Sequence, residues 1–318
     1  MRIFVTGASG FVGGAASKAL IAAGHQVMAM SRSEKSDAVI RDLGAEPVRC
    51  DLETITADHI GNAEAVLHSA AFVEAWGPKD AWHRYNVLGT QAVLDAAQAA
   101  GVQRFIHIGT EAGICHGQHV RDADETVPLA PNSPYPYCAT KAQAEQRVRD
   151  ANRDGVFETI VLRPRFIWGP GDTTLLPMVE AMAKSGKWMW INDGKAMTST
   201  THISNLVHAI MLALTNGRAG EAYFILDDGT ISMKDMIGGM AQAKHLTLAD
   251  KSISSGLADF VGGASEKIWR TLGLKSDPPL TAHAAMVMSR DCTLIGSKAA
   301  ADLGYQPIVS RTEGLAAL

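Results

Sequence analysis

The segment Thr6-Gly7-Ala8-Ser9-Gly10-Phe11-Val12-Gly13 constrains the fold of this chain more than any other. It lies between a predicted strand, Arg2–Thr6, and a predicted helix near 11–23. Glycine at 7 permits a tight turn, Gly10 lets the backbone approach a pyrophosphate, and Gly13 allows the helix to pack on the strand. Phosphates would sit on the N-terminus of that helix, where N–H groups have no intrahelical partner. Three glycines alone mark any tight strand-to-helix turn, and the spacing is GxxGxxG rather than GxGxxG. The strand before, the helix after and the N-terminal position together predict a dinucleotide site. Its contacts are Gly7, Ser9, Gly10, Phe11, Val12 and Gly13.

Further short apolar runs follow at Gln26–Met30, Glu46–Arg49, Ala65–His68, Arg104–Ile108 and Phe157–Leu162, separated by helical patterns near 34–43, 80–100 and 136–153. That alternation predicts an α/β fold, a Rossmann-type doubly wound parallel sheet. After Arg163 it gives way to RPRFIWGPGD, which has the chemistry of a loop. At 318 residues the chain is long enough for roughly two domains or one elaborated α/β unit. A nucleotide-binding domain is expected from 1–163 plus about 203–226, interleaved with a smaller substrate-binding domain from about 164–202 and 227–318. Near 255–274, Leu257, Val261, Ala264, Ile268, Trp269 and Leu272 form a helical apolar stripe. Core packing is its first reading, with a lid over an apolar substrate or a membrane-surface contact as alternatives.

Composition excludes several classes of function. With 29 Lys and Arg against 33 Asp and Glu, the formal charge of −4 offers no cationic field for nucleic acid. The longest apolar run, Ala209–Leu214, is far short of the roughly 20 residues that span a bilayer, so no transmembrane segment is expected. The opening MRIFVTGASGFVG lacks the features of a signal peptide. Cys50, Cys115, Cys138 and Cys292 have neither disulfide-framework nor CxxC spacing, which fits a reducing, cytoplasmic setting. Cys115, His116, His119, Asp122 and Asp124 crowd one loop, but no second ligand cluster accompanies them and no metal is expected.

The end of the second strand reads Met30-Ser31-Arg32-Ser33. A basic residue here accommodates a 2′-phosphate, whereas an acid would bind a free ribose hydroxyl. A charge-assisted Arg–phosphate bond is worth about 1.5–3 kcal/mol, or roughly 10- to 100-fold, so Ser31 and Arg32 favour NADP (NADPH) over NAD. Asp51-Leu52 and Ser69-Ala70-Ala71 follow the third and fourth strands, at the carboxyl edge where open α/β sheets bind ligands.

Tyr137 is the one tyrosine with a lysine four residues later, Lys141, at the start of a predicted helix. Residues i and i+4 share a helix face, so both side chains reach one site. A tyrosine working as a base near pH 7 needs about three pKa units of depression, and an ammonium and an oxidised nicotinamide push that way. Thr110 ends the fifth strand, where its hydroxyl can hold a substrate oxygen beside Tyr137; a plain turn cap is its alternative role.

The combination TGASGFVGG, CDLE, LHSAA, YNVLGT, FIHIGT, YCATK and LRPRFIWGPGD resembles the extended short-chain dehydrogenase/reductases, the epimerase/dehydratase superfamily, over nearly the whole chain. AWG, LRPRFIWGPGDTTLLP, STTHISN and the ending LGYQP are most similar to the 3β-hydroxysteroid dehydrogenase-like branch, near 2-alkyl-3-ketoalkanoate reductases and sterol-4-carboxylate 3-dehydrogenases. The resemblance implies Tyr137 as general acid/base, Lys141 as its electrostatic partner and ribose ligand, and Thr110 as the hydroxyl on the substrate oxygen. It implies a supporting role for Asn86, places Pro164 and Phe166 along the nicotinamide, and suggests a homodimer through helices 80–100 and 136–153. Thr110 stands where many relatives carry Ser and is preceded by Gly109 rather than Ser, so the hydroxyl survives, while Thr110-Glu111-Ala112 lacks the acid of the sugar dehydratases. Glu111 is therefore read as a carboxylate at the substrate pocket rather than a catalyst. Trp76, Phe166 and Trp168 either line an apolar pocket or pack in the core.

These features predict an NADP-dependent oxidoreductase that interconverts a secondary alcohol and a ketone on a small, hydrophobic substrate: steroid-like, lipid-like or a β-keto acid. The alternatives are a nucleotide-sugar epimerase using transient oxidation and a non-catalytic NADP-sensing protein.

Overall fold

A computed structural model describes residues 1–274 and 276–318. The first strands run β1 (Arg2–Thr6), β2 (Gln26–Ser31), β3 (Glu46–Arg49), β4 (Ala65–His68), β5 (Arg104–Ile108) and β6 (Glu158–Pro164). Between them lie α1 (Phe11–Ala22), α2 (Glu34–Asp42), α3 (Gly89–Ala99) and α4 (Pro136–Asp150). After a long excursion the chain returns as α5 (Ile203–Ala213) and β7 (Glu221–Ile225). The seven strands form one parallel sheet in the order β7-β6-β5-β4-β1-β2-β3.

Both faces of a parallel sheet are covered, which is why these strands read as continuous apolar runs. Successive side chains still point to opposite faces. Ile3 and Val5 join Leu67, Ile106 and Leu162 under α1 and α5, while Phe4 joins Val66, Phe105 and Val161 under α3 and α4. The switch point between β1 and β4 lies at the carboxyl edge, where the glycine turn opens.

The single helix expected over 80–100 is broken in character. His83–Leu88 forms a π-helical turn that carries Asn86 and passes into α3. Such turns insert a residue into the helical ladder and are frequent at functional sites.

Beyond β6 the structure is assembled from short pieces. Ile231–Ser232, Met197–Thr198, Cys292–Leu294 and Val120–Ala123 make a small four-stranded sheet. It holds the loop after β5 against the C-terminal part of the chain. Two helices follow, α6 (Ser255–Leu272) and α7 (Ala282–Ser289). α6 turns its small residues Ala258, Gly262 and Ser265 inward, and a Cβ on Gly262 would stand 3.0 Å from Ala282. Close approach of the two helices selects small side chains, so the bulky ones face out. Leu257, Phe260, Ile268 and Leu272 are exposed, which replaces the core-packing reading of this stripe. α6 is anchored at both ends: Asp259 pairs with Arg290 at 2.5 Å, and Arg270 lies 3.8 Å over the Trp76 ring and donates to the Gly77 carbonyl at 2.6 Å. Among the described residues, no helix is long and apolar enough to cross a membrane.

Candidate active site

The glycine turn is closed by backbone contacts that admit no side chain. Gly7 has φ +77°, and a Cβ on it would come within 2.9 Å of the Ala70 nitrogen. A Cβ on Gly13 would lie 2.3 Å from the Gly7 carbonyl oxygen. Thr6 Oγ1 accepts from the backbone N–H of Ser69 (3.2 Å) and Ala70 (3.1 Å), and Ser69 Oγ donates to the Thr6 carbonyl (2.7 Å). β1 and the loop after β4 are thereby laced together on either side of the turn. The N-cap of α1 is Gly10, which offers no capping side chain, and the first turn of that helix holds no acid. These residues fit a pyrophosphate: free N–H groups at a helix start, in a cradle that a Cβ would fill. Gly13→Ala is expected to cost about 1–3 kcal/mol of stability and to weaken dinucleotide binding at least about tenfold, measured by thermal unfolding and NADPH fluorescence titration.

At the end of β2, Ser31 is buried and its hydroxyl is engaged, donating to Asp37 and lying 2.8 Å from Ser36 Oγ. Asp37 is held below its ordinary carboxylate range by that hydroxyl, with Arg49 and Arg41 adding to the effect. Arg32 is exposed. Asp51, although partly desolvated, is also held low, by hydrogen bonds from Thr54 and Glu53 and by the nearby Arg32. Its Oδ1 accepts from the N–H of Glu53 and of Thr54, each at 2.9 Å, so the side chain builds the turn that positions Leu52, itself buried in the core. Ala71, like Ala70, lies in the loop after β4, half-buried.

Thr110 takes the turn-capping role that the sequence offered as its alternative. Oγ1 accepts from the Ala112 N–H at 3.2 Å, capping the short turn Glu111–Ile114, and donates to Glu111 Oε2 at 2.7 Å. Glu111 is buried and paired with Arg165, whose Nε donates to Thr198 Oγ1 at 2.8 Å. The Tyr137 hydroxyl is pushed above its ordinary range, first by loss of solvation and then by the negative Glu111, against a smaller lowering by Thr110. The depression expected from the sequence is therefore absent in the free protein. Lys141 Nζ is turned to the Ile108 carbonyl at 2.9 Å, and burial brings its pKa down to about 8.

Asn86 connects the parts. Its Oδ1 accepts from the Phe72 N–H at 2.7 Å, and its Nδ2 donates to the Phe72 carbonyl at 3.1 Å and to Thr140 Oγ1 at 3.3 Å. One amide thus fixes the loop after β4 against the helix that carries Tyr137 and Lys141. Below them, His68 bridges Thr6 Oγ1 (2.7 Å) and Thr90 Oγ1 (3.0 Å). Burial first, and then the Lys141 charge, takes its pKa down to about 3, so it stays a neutral strut.

Thr110, Glu111, Tyr137, Arg165, Phe166 and His283 line a cavity of about 160 Å³. Phe166 follows Pro164 and Arg165 with φ +48°, a conformation that a bulky residue adopts only under constraint. Trp168 lies elsewhere, fully buried and donating its indole N–H to Asp227 at 2.8 Å, which corrects its reading as a pocket wall. Trp76 is half-buried against Arg270 and outside the lining of this cavity. A wider open groove of about 1420 Å³ along α4 contains none of the expected site residues. Among the described residues, no group of three His, Cys, Asp or Glu side chains converges as a metal site would. Sequence reasoning missed Arg165 and His283. A guanidinium within an apolar stretch signals a buried acid partner, so RPR could have exposed Arg165; nothing local marks His283.

Residues 4–250 match the model of the 3-beta hydroxysteroid dehydrogenase/isomerase family. The chain belongs to that family. It is 36% identical over 100% of its length, and 96% of the relative's, to the 4-hydroxy-2-methyl-3-oxo-4-farnesyl-3,4-dihydroquinoline-1-oxide ketoreductase of Stigmatella aurantiaca. It is 37% identical to the 2-alkyl-3-oxoalkanoate reductase of Stenotrophomonas maltophilia, covering 99% of this chain and 97% of that one. Its fold matches the dTDP-glucose 4,6-dehydratase DesIV from Streptomyces venezuelae with TM-score 0.77 at 24% identity, over 99% of this chain and 95% of that one. The protein is an NAD(P)-dependent oxidoreductase of the extended short-chain dehydrogenase/reductase type.

Proposed function

We propose that this protein is an NADP-dependent ketoreductase that interconverts a ketone and a secondary alcohol on a hydrophobic, lipid-like substrate, with Tyr137 as the general acid/base. The observation that carries the reading is the meeting of Thr110, Tyr137 and Phe166 on one cavity at the carboxyl edge of the sheet. The names of two relatives matched over nearly their full lengths, a ketoreductase and a 3-oxoalkanoate reductase, support a ketone on a lipid-like substrate.

The dinucleotide, held by the glycine turn, Ser9, Phe11, Val12 and the end of β2, supplies the hydride when bound. The chain's own residues handle the proton. Tyr137, protonated at neutral pH because burial disfavours its phenolate, is a ready donor to the oxygen of a ketone undergoing reduction. Thr110 holds that oxygen once its hydroxyl turns from Glu111 to the substrate. Lys141, buried beside the end of β5, provides positive charge that stabilises the phenolate left behind. Asn86 keeps the helix carrying both residues in register with the loop after β4.

The choice of NADP rests on Arg32, reinforced by Arg41 and Arg49, which offset Asp37. Arg32→Ala is expected to lower the preference for NADPH over NADH about 10- to 100-fold, read as the ratio of the two dissociation constants. The overall reading is tested by absorbance at 340 nm. Net oxidation of NADPH by hydrophobic ketones supports it, whereas conversion of nucleotide sugars without cofactor turnover replaces it with an epimerase. Assembly as a homodimer through α3 and α4 belongs to the same proposal, with light scattering as its check.

A further inference from the structure

We propose that His283 binds a second, uncharged oxygen of the substrate, adjacent to the ketone held by Thr110 and Tyr137. This deepens the ketoreductase reading and rests on it. His283 sits on α7, across the cavity from the end of β5, with its ring centroid 5.6 Å from that of Tyr137 and the planes at 58°. Its Nε2 is enclosed by protein and has no hydrogen-bond partner. A buried polar atom left unpaired is costly, and structures retain one where a ligand, water or ion completes it. The residue lines the cavity beside the phenol while Nε2 is closed off even from water in the free protein, so a turn of the ring is what brings the atom to a substrate group, the partner the geometry points to.

The charges around it define that group. Arg165 and Arg290 also line the cavity, and each guanidinium is already paired, with Glu111 and Asp259 respectively. A carboxylate entering there would face Glu111 without a free cation to receive it. Burial takes the His283 pKa down to about 4, so the ring is neutral and offers a hydrogen bond without charge. The favoured substrate is a ketone with a neighbouring carbonyl or hydroxyl oxygen, such as a 3-oxo ester or a cyclic hydroxyketone. A simple ketone has too few oxygens, and a free 3-oxo acid, the form named for the Stenotrophomonas maltophilia relative, would face Glu111 here, so this chain's preference is expected to differ from the one in that relative's name.

The test uses the full-length protein with NADPH and three substrates of matched chain length: a 2-alkyl-3-oxo ester, the corresponding monoketone and the 3-oxo acid. The wild type is expected to favour the ester over either competitor about 10- to 100-fold in kcat/KM. His283→Leu and His283→Phe should bring the ester's kcat/KM down to that of the monoketone measured with the same variant, chiefly by raising KM for the ester, with NADPH binding unchanged. His283→Gln, which keeps a neutral hydrogen-bonding group, should recover most of the preference. The phenylalanine variant retains the ring that packs on Tyr137, so it remains informative if the leucine variant is poorly folded. Equal loss on all three substrates, or a wild type that prefers the acid or the monoketone, overturns the proposal while leaving the ketoreductase reading intact. Absence of NADPH oxidation with every ketone overturns both.

Discussion

Replacing Tyr137 with Phe is expected to lower kcat for ketone reduction by about 10²- to 10⁴-fold while leaving NADPH affinity within about twofold. The substitution removes one oxygen and keeps the ring against His283, so packing of the cavity wall is preserved. The size of the loss follows from the surroundings of the hydroxyl. Thr110 can hydrogen-bond the substrate oxygen once it turns from Glu111, but an aliphatic hydroxyl is too weak an acid to give up its proton, which leaves Tyr137 as the acid for the alkoxide. Single-turnover absorbance at 340 nm measures the effect directly, and a loss smaller than about tenfold would assign the proton to another group. Because Tyr137 is raised above its ordinary range, it stays protonated through neutrality, and the reduction rate of the wild type is expected to be flat between about pH 6 and about pH 7 and to fall as the pH rises through about 8, where Lys141 loses its charge.

Arg163→Met is expected to destabilise the protein by about 3–5 kcal/mol, measured from the midpoint of urea unfolding. Arg163 and Glu145 are both fully enclosed, with Arg163 Nε donating to Glu145 Oε2 at 2.9 Å, and the guanidinium also lies 5.3 Å over the Phe224 ring. Removing the arginine strands a carboxylate in the core, and that uncompensated charge is the larger part of the loss. The double variant Glu145→Met/Arg163→Met is expected to recover most of the stability. The pair also reaches the active site, since Glu145 acts against the lowering of the Lys141 pKa. The double variant should therefore lose activity that its restored stability does not explain. Stability restored with full activity would separate the ion pair from Lys141 function.

The sheet was legible because its strands are buried on both faces and so appear as compact apolar runs between turn residues. β1, β3, β4 and β5 have the bounds expected from sequence, and the strand at Glu221–Ile225 joins the edge of the sheet. The π turn at His83–Leu88 was invisible, because apolar spacing reports a helical face and not a residue inserted into its ladder. Strands of two residues, such as Met197–Thr198, are too short to show any period. The α6 stripe shows a different limit: periodicity reveals that an apolar face exists, while the close contact with α7 decides which way it points. At the candidate site, Thr110 and Tyr137 were accessible through their positions at a strand end and a helix start. Arg165 is marked only by its place in RPR and His283 by nothing local, since their partners Glu111 and Tyr137 are distant in sequence and meet them only through the fold. In the free protein the Tyr137 hydroxyl lies above its ordinary range, because the sequence names the cation and not the solvent that folding removes.

The placement of β7 beyond the long excursion also governs how the protein is made. When the ribosome has delivered β6, one whole side of that strand has no partner, and its N–H and C=O groups form an open template for other chains. The strand that covers it follows only after the intervening segment has been translated, a wait of several seconds at about 5–20 residues per second. Throughout that interval the nascent chain depends on chaperones or on the loops themselves to shield the edge. A chain terminated before Glu221 keeps that edge open and is exposed to aggregation through it.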